Sequence, residues 1–235
     1  MKALFSALMG VYVLYAVLVN RRDESAQPSF AKRFGVLLHA PLFAAACYLG
    51  AKNGVFSRQL VSPPYIAAGL IAGHLIFGVS LLATHQSWRD AVAQFVDLHP
   101  LWEFIADNPN VLMRFVGVSL GEELIYRVAA QPLAIACTGS RVAGILAVAA
   151  LFSVVHRHFL RNPMGQSAEF VAFAILLGVL YHLTGSLILV IVVHAVRNIE
   201  IAYLEQLIKA GETEHGASVN NSDSRPCSCG APERT

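Results

Sequence analysis

The chain has 235 residues, 56% of them hydrophobic and only 14% charged, with a mean hydropathy of +0.57. A soluble domain carries about 25% charged residues, so the composition excludes an ordinary soluble fold and makes the bilayer the solvent for most of the surface. The net charge of +2 gives no reason to expect a nucleic-acid partner. Four cysteines, split between apolar stretches (Cys47, Cys137) and the tail (Cys227, Cys229), define no disulfide framework.

A helix needs about 20 residues to cross the hydrocarbon. The first apolar run, Ala3 to Val19, is preceded only by Lys2 and followed by Asn20-Arg21-Arg22. A secretory signal has its charges first and a small-residue cleavage site afterwards, so this run reads as a retained helix. Arg21, Arg22, Lys32 and Arg33 mark 20–33 as a cytoplasmic connector, with Lys52 and Arg58 falling on the opposite side. Helices are expected over 34–51 and 65–84, the second opened by the break at Ser62-Pro63-Pro64. The stretch 85–110, with Trp88 and Trp102 among acidic residues, reads as an interfacial amphipathic segment. Further spans are expected over 111–136, 142–158, 168–183 and 186–206, the last two joined tightly at Thr184-Gly185-Ser186.

The expected fold is an all-α, polytopic transmembrane bundle of about seven helices, with its amino terminus outside and its tail inside. Residues 1–110 form the N-terminal membrane helices and the interfacial segment, and 111–206 form a helical core. Residues 207–235 are a polar tail, expected to be disordered because it buries too little apolar surface to fold alone. No internal repeat is visible.

The fourth span contains Gly121-Glu-Glu-Leu-Ile-Tyr-Arg127. Two adjacent carboxylates inside an apolar helix cost roughly 2.5–3.5 kcal/mol each on insertion scales. Glu123 and Arg127, four apart, pair on one helix face, which accounts for Glu123. It does not account for Glu122, about 100° further round the helix, and an unpaired carboxyl there suits a general base. The fifth span ends at His156, and the last contains His194-Ala-Val-Arg-Asn198, which places His194 and Asn198 on one face. Each residue alone reads equally well as packing. Four such groups on three neighbouring helices favour a site in which Glu122 and His156 hold a water opposite donors from His194 and Asn198.

The order Glu122-Glu123-x-x-x-Arg127, Phe152-x-x-x-His156, His194-x-x-x-Asn198 resembles the CAAX protease and bacteriocin-processing (Abi) family, over about Val111 to Ile201. Gly178-Val-Leu-Tyr-His-Leu-Thr-Gly-Ser-Leu187 is similar to that family's turn between its last core helices. The resemblance implies a helical intramembrane endopeptidase with a catalytic cavity open to one side of the membrane. It further implies Glu122 and His156 as water activators, His194 and Asn198 as the oxyanion site, and Glu123 and Arg127 as their support. The sequence has no His-Glu-x-x-His. Zinc is still possible, with Glu122, His156 and His194 as ligands, since two His and one carboxylate make a known catalytic set. The Asn and the second Glu fit hydrogen-bonding roles and favour a glutamic mechanism requiring no cofactor.

Outside the motif, His39 and His74 read as packing or hydration residues, His182 as a helix-end group, and His158 and Arg157 as surface residues beyond His156. Arg114 reads as a snorkelling anchor, and Arg197 and Glu200, three apart, are expected to pair with each other. Cys227-Ser-Cys229 reads as solvated tail, and the terminal Glu-Arg-Thr is not a prenylation sequence. The expected partners are the lipid bilayer and a membrane-anchored protein or peptide: a prenylated tail, a peptide precursor or a C-terminal sorting signal. Oligomeric state is left open, and the short loops suggest a prokaryotic inner membrane. Two other readings compete. One is a transporter or channel using the Glu and His groups as a proton or cation path, weakened by the lack of a repeated half. The other is a non-catalytic scaffold of the same fold.

Overall fold

In hydrocarbon every backbone N–H and C=O must find a partner within its own segment, so apolar runs of this length form helices. The computed structural model describes residues 1–20, 29–56, 62–84, 87–156, 159 and 161–222, with 29–33, 83–84 and 209–222 described by backbone alone. Among the described residues there are helices and turns but no strand. The chain is an all-α, multi-pass membrane bundle. In order its helices are α1 (Lys2–Asn20), α2 (Ser29–Lys52), α3 (Pro63–Thr84), α4 (Trp88–Val96), α5 (His99–Asp107) and α6 (Pro109–Glu123). A π-helical segment, Leu124–Ala130, leads into α7 (Gln131–Thr138), followed by α8 (Arg141–Val155), α9 (Met164–Thr184) and α10 (Leu187–Ser222).

Among the described residues, five helices are long and apolar enough to cross a membrane: α1, α2 over Phe34–Lys52, α3 over Pro63–Leu82, α9, and α10 over Leu187–Ile208. Two of the seven expected spans are built differently. The one expected over 111–136 is the run α6–π–α7. Its widened turn has a local cause in Pro132, which lacks an N–H and whose ring crowds the carbonyl four residues back. The ladder shifts instead, and the N–H of Gln131 bonds Tyr126 O, five residues back. The span expected over 142–158 is α8, with 15 residues, short of the ~20 that cross alone.

Other boundaries also move. Helix α2 begins at Ser29, so Lys32 and Arg33 belong to it rather than to a connector. Arg21, Arg22 and Arg58 lie outside the described residues. Helix α10 continues past 206 to Ser222, through the helix formers Glu205, Gln206, Leu207, Lys209 and Ala210. The rest of the tail, with Cys227 and Cys229, lies outside the described residues. The stretch 88–107 forms α4 and α5, which bury Ala91 and Phe104 while Trp88 and Trp102 face outward. Helix α4 doubles back along α3, with the Phe95 ring stacked on His74 at 4.2 Å.

Small residues and turn chemistry bring the helices together. An added Cβ on Gly69 or Gly73 of α3 would lie 2.8 Å and 2.7 Å from the side chains of Val192 and Val196 on α10. This is the small-xxx-small contact by which membrane helices approach closely. The α7–α8 and α9–α10 turns share one design. Gly139 and Gly185 take left-handed φ values of +66° and +64°. The next residue, Ser140 or Ser186, accepts a backbone N–H of the following helix, each at 3.3 Å. The main core lies where α1, α2, the π segment, α8, α9 and α10 meet, around Leu42, Ile125, Val148, Phe152, Leu177 and Val190.

Candidate functional site

The buried carboxylate at the end of α6 is the hub of a polar cluster. Glu123 and Arg127 have fully buried side chains and pair at 3.0 Å, Arg127 Nε donating to Glu123 Oε2. The other oxygen, Glu123 Oε1, lies 2.7 Å from Nδ1 of His194 on α10. With Glu123 ionised beside Arg127, Nδ1 is the donor and Nε2 points away from Glu123. That nitrogen lies 3.6 Å from Glu122 Oε2, while His156 Nε2 lies 3.5 Å from Glu122 Oε1. The Glu122 carboxylate, 18% exposed, therefore stands between two imidazoles.

His156 is held from behind. Helix α8 stops at Val155, and His156 Nδ1 lies 2.6 Å from Phe152 O. A carbonyl only accepts, so Nδ1 carries a hydrogen and Nε2 turns toward Glu122. The same helix end is tied to α1, because Asn20 Nδ2 donates to Val155 O at 2.7 Å, meeting one of the carbonyls a helix end leaves unpaired. Phe152, Phe170 and Phe173 wall the pair. Phe152 is 4.4 Å from the His156 ring and Phe173 stands edge-on to His194 at 5.4 Å. Gly178 on α9 gives the support room: an added Cβ would lie 3.1 Å from Gln131 Oε1, and Gln131 Nε2 donates to Gly178 O at 2.9 Å.

The fold thus brings Glu122, Glu123, Arg127, His156 and His194 together. Asn198 stands one turn beyond His194 on α10, half-buried, and its side chain makes no hydrogen bond among the described residues. His39 was read from sequence as lying outside any motif, yet it borders the cluster. Its Nε2 lies 3.9 Å from where a Cβ on Gly121 would be, and its ring stands edge-on to Tyr12 at 5.6 Å. Both His39 and Tyr12 interact electrostatically with Glu122. The only sequence signal for them was a lone polar group in an apolar helix.

One expected pair is wrong. Arg197 does not pair with Glu200: its Nη2 reaches both oxygens of Glu169 on α9, at 2.8 Å and 2.7 Å. Glu200 Oε1 lies 2.6 Å from His74 Nδ1, and His74 Nε2 is 3.1 Å from Phe95 O. Both partners lie on other helices, which the i,i+3 spacing along α10 does not reveal. His182 is exposed in the last turn of α9. Arg114 is exposed with its guanidinium 5.5 Å from the Phe115 ring. Arg157 and His158 lie outside the described residues. Among the described residues, no three His, Cys, Asp or Glu groups are gathered so as to hold a metal ion. Glu122 lies 3.5 Å from His156 Nε2 and 3.6 Å from His194 Nε2.

Fold and site define a class: a polytopic helical membrane protein with a buried Glu–Arg–His cluster beneath a less buried Glu–His pair. Residues 105–199, about two fifths of the chain, match the family model described as type II CAAX prenyl endopeptidase Rce1-like. The likeness expected from the motifs is thereby shown over those residues, which hold every member of the cluster except those on α1 and α2. No curated protein and no solved structure matches the chain.

Proposed function

We propose that the chain is an intramembrane endopeptidase that hydrolyses a peptide bond in a membrane-delivered substrate, using water activated by Glu122 and His156. The observation that carries this reading is the Glu122 carboxylate held 3.5 Å from His156 Nε2 and 3.6 Å from His194 Nε2. These separations are long for direct hydrogen bonds, and Glu122 Oε1 and His156 Nε2 both face a position beside the pair from which one water can reach them. His156 Nδ1 already donates to Phe152 O, so a neutral His156 presents an acceptor at Nε2. The water then donates one hydrogen to each of two bases, which leaves its lone pair for the substrate carbonyl carbon.

Attack forms the C–O bond as a water proton passes to Glu122. That proton goes on to the leaving amine as the C–N bond breaks. His194 is held at Nδ1 by Glu123, so it can donate from Nε2 only as an imidazolium. In that form it stabilises the developing oxyanion, with the Asn198 amide as second donor. Glu123 and Arg127 orient His194 rather than touch substrate. Were zinc bound, Glu122, His156 and His194 would be its ligands and the metal would supply Lewis-acid activation of the water.

The family match supports a substrate with a prenylated CAAX-type tail ahead of a peptide precursor or sorting helix. The Asn20–Val155 contact brings the end of α1 to the site, and in the sequence Asn20 is followed directly by Arg21-Arg22. That basic pair in the sequence supports a site on the cytoplasmic face. The test is mass-spectrometric cleavage of membrane-anchored peptides, including farnesylated carboxyl-terminal tetrapeptides, by protein in vesicles before and after chelation, with zinc content measured alongside. Cleavage that persists without metal is expected. Activity lost on chelation and restored by zinc would make the three residues ligands. No cleavage together with proton-gradient-dependent flux would make the chain a transporter.

A further inference from the structure

Arg197 and Glu169 are ionisable groups inside membrane helices that the proposed chemistry does not use. Such groups are costly in hydrocarbon and generally functional. A buried ion pair is also weak evidence for stability, because a well-packed apolar pair does as well. What this pair grips is specific. Arg197 Nη2 lies 2.8 Å and 2.7 Å from the two oxygens of Glu169, and Ser80 of α3 donates to Glu169 Oε1 at 2.6 Å. The same guanidinium sits 4.4 Å over the ring of Phe173, one turn beyond Glu169 on α9.

Phe173 in turn stands edge-on to His194 at 5.4 Å. Phe170, the residue after Glu169, stands edge-on to His156 at 5.1 Å and stacks on Phe152 at 5.4 Å. One arginine therefore ties α9 to α10, and two aromatic rings beside that tie lie against the two imidazoles. We propose that Arg197 and Glu169 are positioning residues that hold His156 and His194 toward Glu122 through Phe170 and Phe173. The inference rests on the peptidase reading for its kinetic consequence, but not for its structural one. Tilting or shifting an imidazole ring moves Nε2 relative to Glu122, and misplacement of about 1 Å costs up to ~10²-fold in rate.

The test uses full-length protein labelled with ¹⁵N-histidine in lipid nanodiscs, with the His156 and His194 resonances assigned by single His→Gln spectra. Arg197→Gln, Glu169→Gln and Phe173→Leu are compared with Arg197→Lys. Lysine keeps the charge, and the wild-type contacts to both oxygens come from a single nitrogen. The three disruptive variants are expected to shift or broaden the His194 resonances and to lower kcat about tenfold or more, with KM little changed. Arg197→Lys should restore most of both. Phe173→Leu leaves the ion pair intact and so reports even where Arg197→Gln does not fold. Wild-type imidazole spectra and wild-type kcat in Phe173→Leu and Glu169→Gln overturn the proposal. If wild type cuts no peptide, the peptidase reading fails and the spectra alone decide the positioning role.

Discussion

Replacing Glu123 by Gln should damage both the fold and the site. Its carboxylate takes one hydrogen bond from Arg127 at 3.0 Å and one from His194 at 2.7 Å, and both charged side chains of the pair are fully buried. The glutamine amide can accept from only one of these donors, and its NH₂ then faces the other. Arg127 Nη1 and Nη2 have no hydrogen-bond partner among the described residues, so the buried charge left without its carboxylate keeps only the face of the Phe152 ring, 5.5 Å away. Removing one partner of a buried pair costs about 3–5 kcal/mol. Gln keeps the shape, which puts the expected loss near the lower end, about 3 kcal/mol. For a chain of this size that corresponds to a fall in Tm of roughly 6–12 °C. Thermal unfolding in detergent, followed by the fluorescence of Trp88 and Trp102, measures it, and cleavage should fall with it because His194 loses its orienting bond. Melting of Glu123→Gln within a degree or so of wild type would refute the reasoning.

Four further outcomes are expected. Glu122→Gln should lower kcat by about 10²–10⁴-fold with unchanged melting, because Glu122 is partly exposed and makes no short hydrogen bond; unchanged turnover would remove it as base. Gly73→Val should destabilise by about 1–3 kcal/mol, since its Cβ would meet Val196 at 2.7 Å; a denaturant series on purified protein reads this, and wild-type stability would contradict the α3–α10 contact. Asn20→Ala removes the bond to Val155 O and should cost about 1 kcal/mol while lowering kcat more than it raises KM, as initial rates over a substrate series would reveal. Gly178→Ala pushes against Gln131 Oε1 at 3.1 Å and should lower Tm, and a stabilised variant would show that the contact relaxes.

The helices and the cluster were legible for different reasons. Long apolar runs admit only helix in hydrocarbon, so α1, α2, α3, α9 and α10 followed from composition alone. The i,i+4 rule found the Glu123–Arg127 pair because both partners share one helix turn. The same rule failed for Arg197 and Glu200, whose partners Glu169 and His74 come from α9 and α3. No one-dimensional spacing carries that information. The π segment was missed although Gln131-Pro132 was its signal: a proline inside an apolar run forces the ladder to shift or break. Asn20 and His39 were passed over because each is a single polar residue on a helix without a motif. Their proximity to the site depends on how α1 and α2 pack against α6 and α8. Gly69 and Gly73 offered a readable small-xxx-small pattern, but that pattern does not name the partner helix.

The central claim is that Glu122 activates water against a peptide bond, and hydrolysis in ¹⁸O-enriched water tests it directly. Wild-type protein in vesicles and its Glu122→Gln variant are incubated with the same farnesylated, membrane-anchored peptide, and the product carboxyl terminus is weighed by mass spectrometry. The expected result is one ¹⁸O in the new carboxylate of the wild-type product and no product from a folded Glu122→Gln variant. Equal product from both, or a wild-type product without ¹⁸O, would contradict the account.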